Sequence, residues 1–139
     1  MKKLPRYILI ILSLVLAPAS LAEPPELNNP EKLDLSQRQS LSPQEAAALR
    51  NENVIYLDVR STLEWLGGHV EGAIHLPYDK VAQDIGSVLP DRSVPVITYC
   101  VSGARAAFVI DAMRKQGYTV VPVTNGGYRE LIANGMKKD

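Results

Sequence analysis

Apolar positions between residues 54 and 123 gather into short compact runs separated by amphipathic stretches, and this alternation sets the expected architecture. Val54-Ile55-Tyr56-Leu57-Asp58-Val59 is rich in β-branched residues and reads as a buried strand. Ala73 to Leu76, Val94 to Tyr99 and Thr119 to Val123 read the same way, and a short strand around Arg38 to Leu41 is a further candidate. Helix signals fill the gaps. Ser42-Pro43-Gln44-Glu45 supplies a cap, a proline suited to the first turn and a capping-box glutamate, so a helix is expected to about Arg50. Ser61-Thr62-Leu63-Glu64 repeats the signal, with Gly67-Gly68 as the stop. Asp79 is the expected cap of a helix reaching about Val88, before Pro90. One continuous helix is expected from Ala104 to Gln116, ending at Gly117, and a last one from Tyr128 to Asn134, ending at Gly135. Strands alternating with helices predict parallel pairing and an α/β layered domain. Ligands in such sheets bind beyond the carboxyl ends of the strands. Asp58 to Arg60 and Cys100 fall at such ends.

The first residues follow a different pattern. Lys2, Lys3 and Arg6 precede an apolar run from Tyr7 to Leu16, and small residues follow from Ala17 to Ala22. That layout predicts a signal peptide over residues 1–22, cleaved after Ala22 or after Ala19, and hence a periplasmic protein without a stable membrane anchor. The apolar run is too short for a spanning helix, which needs about 20 residues. Residues 23–37 are polar, contain Pro24, Pro25 and Pro30, and read as a linker. The domain is expected over 38–134, with 135–139 as a tail.

The whole chain balances 15 Lys and Arg against 15 Asp and Glu, and removal of residues 1–22 takes away three cations and no acid. The mature surface is therefore mildly acidic, with no basic stripe for nucleic acid. Two His and one Cys are too few for a metal site of the usual ligands.

Cys100 is the single cysteine, in a chain expected to be exported, where cysteines normally pair. Its neighbours point to reactivity. Cys100-Val101-Ser102-Gly103-Ala104-Arg105 joins a strand to a helix, Gly103 permits a tight turn, and small side chains let backbone N–H groups face the loop centre. The start of the following helix and the Arg105 guanidinium favour a thiolate there. The loop is a cradle for an anionic sulfur. Asp58 and Arg60 are expected to form an ion pair or cap that fixes the neighbouring loop, and His69 and His75 to hold backbone turns.

These segments resemble the rhodanese family. The loop has the pattern Cys-x-x-Gly-x-Arg. Leu57-Asp58-Val59-Arg60, Glu64-Trp65, Gly68-His69-Val70-Glu71-Gly72-Ala73-Ile74-His75-Leu76-Pro77, Tyr99-Cys100 and Gly126-Gly127-Tyr128 are also similar, in the family's order. The resemblance spans about residues 38–134 and suits the small single-domain periplasmic members. It implies a three-layer α/β/α domain around a five-stranded parallel sheet, with no cofactor. It also implies a Cys100 persulfide that takes sulfur from a donor such as thiosulfate and passes it to cyanide or a thiol. Val101, Ser102, Gly103, Ala104 and Arg105 are then the substrate-binding residues, with Asp58 and Arg60 in support. Small sulfur-containing anions and thiols are the implied partners, and a monomer is expected.

Other readings remain open at this level. Phosphatase or arsenate chemistry is one: cysteine phosphatases of the dual-specificity, cell-division-cycle 25 type share the fold, but their loop holds one residue more than the four between Cys100 and Arg105. A sulfur carrier or docking module needs the same persulfide as an enzyme. A dithiol redox cycle would require an external thiol.

Overall fold

The structure is a computed structural model that describes residues 34–139. The expected signal peptide and most of the expected linker lie outside the described residues. Four strands form one parallel sheet: β1 (Ile55–Asp58), β2 (Ile74–His75), β3 (Val96–Tyr99) and β4 (Val120–Pro122), in the order β2-β1-β3-β4. Six helices accompany it: α1 (Pro43–Ala48), α2 (Thr62–Leu66), α3 (Val81–Val88), α4 (Ala104–Phe108), α5 (Ile110–Lys115) and α6 (Tyr128–Ala133).

Side chains alternate across the strands and feed two cores. Leu57, Val59, Val96, Cys100 and Val120 pack with Val81 and Ile85 of α3, Ala106 of α4, Met113 of α5 and Val109 between the last two. Tyr56, Ile97, Tyr99, Val121 and Val123 pack on the other face with Ala46, Ala47 and Leu131 of α1 and α6. The layering is α/β/α, as expected, because β1, β3 and β4 carry apolar residues on both faces.

Both capping boxes form: Ser42 accepts from the Glu45 N–H while Glu45 accepts from the Ser42 N–H, and Ser61 and Glu64 do the same. The sheet has four strands rather than five. The expected strand at 38–41 contracts to a single bridge between Leu41 and Val123. Leu41 donates to the Pro122 carbonyl and accepts from the Thr124 N–H, both at 2.9 Å, but the next rung upstream would need an N–H that Pro122 lacks, and downstream Ser42 already caps α1. Upstream, Arg114 donates to the Val120 carbonyl at 3.2 Å and so covers the edge that a longer strand would have used. Asp79 does not cap α3; the cap position is Lys80, without a side-chain bond.

The helix expected from Ala104 to Gln116 is interrupted at Val109. There the Thr98 hydroxyl, buried on β3, donates to the Ala106 carbonyl at 3.1 Å, an acceptor the helix ladder would otherwise use. The ends of the domain also reach further than the sequence suggested. Leu35, in a 3-10 turn over Leu35–Gln37, is buried in the α1–α6 core. Residues 135–139 return along residues 69–71: Asp139 donates to the His69 carbonyl at 2.9 Å, Glu71 donates to the Lys137 carbonyl at 2.9 Å, and Met136 is buried.

Candidate active site

β3 delivers Cys100 to the carboxyl edge of the sheet, on the same face as Val96, and the side chain is only 1% exposed. The chain then turns through Val101 and Ser102, both exposed, to Gly103 at φ 102°. That conformation disfavours any side chain, and a Cβ there would lie 2.9 Å from both the Thr124 Cα and the Val123 carbonyl oxygen. The turn brings the Gly103 N–H back to donate to the Cys100 Sγ at 3.1 Å. The N–H groups of Val101, Ser102, Ala104 and Arg105 have no protein acceptor among the described residues, as befits a loop entering a helix.

The loop is braced from behind. Tyr128 donates its N–H to the Cys100 carbonyl at 2.9 Å, and a Cβ on Gly127 would overlap that same carbonyl. Close backbone approach therefore explains Gly127 in the Gly126-Gly127-Tyr128 segment that carries part of the family resemblance.

Arg105 leaves the first turn of α4 and meets Glu64 of α2 in a two-pronged pair, at 2.7 and 2.9 Å. These bonds pull the Glu64 carboxyl down to about 2, and the Ser61 backbone N–H on the same carboxylate assists. The Arg105 pKa is raised, first by the Glu64 bonds and to a smaller degree by the Cys100 sulfur, against the opposing effect of burial. Two of the five guanidinium N–H donors are thus committed to Glu64, leaving the others for a bound anion. Sequence reading found Glu64 as a capping residue and as part of a family-like segment, not as a partner of Arg105. Its partner lies 41 positions away, and no local pattern announces such a contact.

Asp58 and Arg60 form a buried ion pair with one another. Arg60 donates from Nε to both Asp58 oxygens at 2.9 and 3.0 Å, from a terminal nitrogen to Asp58 at 2.6 Å, and to the Gly68 carbonyl at 2.8 Å. Its guanidinium lies 4.2 Å from the centre of the Tyr128 ring. This pair ties β1 to the end of α2 and to the brace of the Cys100 loop. His69 Nδ1 donates to the Trp65 carbonyl at 3.1 Å and His75 Nε2 to the Arg60 carbonyl at 2.9 Å, while Trp65 stacks on both imidazoles. Both histidines hold turns.

Beside the loop lies an open cleft of about 320 Å³ lined by Arg60, Glu64, Gly67, Val101, Tyr128 and Arg129. No cluster of potential metal ligands occurs among the described residues.

Fold and loop together define an α/β domain that presents one thiol at the carboxyl edge of a parallel sheet. Residues 42–134 match the sequence model of the rhodanese-like domain, and the chain belongs to that family of sulfurtransferases. It is 30% identical to the thiosulfate sulfurtransferase GlpE of Pseudomonas entomophila over 68% of this chain and 84% of that protein. It is 31% identical to the thiosulfate sulfurtransferase PspE of Escherichia coli over 59% of this chain and 78% of that one. The family is wider than that activity: a tRNA uridine(34) hydroxylase of Protochlamydia amoebophila is 28% identical, and the match takes in 36% of its length. A rhodanese-related protein of Thermoplasma volcanium shares the fold, with a TM-score of 0.64, 20% identity, and 73% and 98% of the two chains covered. A solved rhodanese with anions from E. coli aligns with a TM-score of 0.52 and 29% identity, over 61% of this chain and 95% of that one.

Proposed function

We propose that this protein is a periplasmic sulfurtransferase that carries sulfur on Cys100 as a persulfide, with thiosulfate as a competent donor and cyanide or a thiol as acceptor. The observation that carries the proposal is the seat of the sulfur: a buried Cys100 Sγ that accepts the Gly103 N–H at 3.1 Å, inside a loop with further free N–H groups. Such donors stabilise a thiolate and, one bond further out, a persulfide anion.

In the first half-reaction the Cys100 thiolate attacks the outer sulfur of thiosulfate. A new S–S bond forms to Sγ, the S–S bond of the donor breaks, and sulfite leaves with its electron pair. In the second, cyanide attacks the outer persulfide sulfur, thiocyanate leaves, and the Cys100 thiolate returns. No net proton or electron is required. Backbone N–H groups from Val101 to Arg105 hold the charge that moves along this sulfur chain, and the free donors of Arg105 meet the donor's oxygens. Glu64 holds Arg105 in place, and the Asp58–Arg60 pair supports the loop from β1. The names of the thiosulfate sulfurtransferase relatives agree with this donor. The charged, apolar and small-residue segments of residues 1–22 support the periplasmic location.

The steady-state test is thiocyanate formation from thiosulfate and cyanide. The protein is expected to turn over and Cys100→Ser to fall to background; equal rates in the two proteins would remove Cys100 from the reaction. A second reading, a carrier that docks to a partner and transfers sulfur without rapid turnover, draws on Leu63, Leu66 and Phe108. These are 83%, 73% and 72% exposed on α2 and α4, the helices joined by Glu64 and Arg105. A persulfide that loads at one equivalent but discharges only slowly to cyanide would favour that reading.

A further inference from the structure

The identity of the acceptor can be carried further, on the basis of the sulfurtransferase reading above. We propose that the acceptor is an organic thiol bearing a carboxylate, which lies in the cleft between α2 and α6 with its carboxylate on Arg129.

The cleft is about 320 Å³, within the range of roughly 300–1,000 Å³ found for pockets that hold organic ligands. Cyanide has two heavy atoms and thiosulfate five, and neither fills such a space. Its charges are unevenly spent. Arg60 on the wall is neutralised by Asp58, and Glu64 is bound to Arg105. Arg129 is exposed and makes no ion pair or side-chain hydrogen bond among the described residues. It is the one cation of the cleft lining whose charge is unanswered there.

Position separates acceptor from donor. Arg129 follows Tyr128, whose N–H bonds the Cys100 carbonyl, so it stands on the first turn of α6 beside the Cys100 loop rather than within it. The sulfonate of a donor is one bond from the sulfur being transferred and belongs in the loop. A carboxylate several bonds from a thiol reaches past Val101 to the cleft wall. The acceptor thiol loses its proton to solvent, its thiolate forms an S–S bond with the outer persulfide sulfur, the bond from that sulfur to Cys100 Sγ breaks, and the Cys100 thiolate is restored.

The test compares 3-mercaptopropionate with 2-mercaptoethanol as acceptors of sulfur from thiosulfate, at low ionic strength, with cyanide as a reference acceptor for the wild-type protein. The ratio of kcat/KM for the charged over the neutral thiol is the readout, because a purely structural role for Arg129 lowers both alike. That ratio is expected to fall roughly fivefold in Arg129→Gln, through KM, and to be largely restored in Arg129→Lys. An unchanged ratio in Arg129→Gln, with wild-type transfer to cyanide intact, overturns the acceptor assignment alone. Absence of transfer to cyanide and to both thiols in the wild-type protein overturns the sulfurtransferase reading and this inference together.

Discussion

Cys100 sits on the apolar face of β3 and yet ends in a polar turn, and the two ion pairs around it differ in what they stand to lose. The Asp58–Arg60 pair is almost entirely out of water, at 0% and 4% side-chain exposure. Removing one member strands the other, which typically costs about 3–5 kcal/mol. Arg60→Met is expected to lower stability by that order in urea unfolding. A loss within experimental error would mean that Asp58 finds another partner. The Glu64–Arg105 pair is about one-third exposed and more modest. Its folded-state carboxyl is held at about 2, below the ordinary value of 4.5, so the contribution of Glu64 is fully present above about pH 4.5 and is lost as pH falls towards 2. The difference in Tm between wild type and Glu64→Gln is therefore expected to be steady from pH 8 to about pH 5 and to close on further acidification. A difference that grows in acid would contradict the sign of the shift. Cys100, Arg105, Asp58 and Arg60 were all visible in the sequence, because each lies at a strand end or in a motif. The role of Glu64 as the partner of Arg105 was not, because it depends on how α2 docks against α4.

At the scale of elements, local chemistry was legible and its competitors were not. Ser42 with Glu45 and Ser61 with Glu64 name their own helix starts, and the glycines at 67, 117 and 135 name helix ends. The break at Val109 comes instead from Thr98, a residue of another element, and the short edge at Leu41 from the missing donor of Pro122. The Cys100 loop depends on two glycines for different reasons. Gly103 needs a positive φ and has no room for a Cβ; Gly127 needs only the room, against the Cys100 carbonyl. Gly103→Ala is expected to lose roughly 1–3 kcal/mol of stability and most of its sulfur transfer, since the N–H that reaches Cys100 moves with the strained turn. Gly127→Ala is expected to reduce activity as well, by displacing the Cys100 carbonyl and with it the start of the loop. Activity in Gly103→Ala equal to wild type would show that the Gly103 N–H is dispensable.

At the scale of the whole domain, the described residues form two cores, one on either face of one sheet, and the site lies where both meet the carboxyl edge. The α1–α6 core is closed by the last residues of the chain: Met136 is buried, and residues 137–139 pair with residues 69–71, which lead from the end of α2. Deleting residues 136–139 removes a buried methionine and that pairing, and is expected to cost about 2–4 kcal/mol, measured as a fall in Tm. An unaltered Tm would mean that the tail only rests on the domain. The sequence marked these residues as a tail because their apolar content is one methionine among charges; their partners at 69–71 are remote in the chain. The layered fold itself was readable, since four apolar runs at regular spacing leave few other arrangements.

The central claim concerns the sulfur on Cys100, and intact mass spectrometry tests it directly. After brief exposure to thiosulfate and removal of excess donor, the full chain is expected to gain the mass of one sulfur atom, located on the peptide containing Cys100, and to lose it as thiocyanate when cyanide is added. Cys100→Ser is expected to gain nothing. A wild-type protein whose mass stays unchanged after thiosulfate, with its Cys100 thiol still free, would contradict the persulfide account.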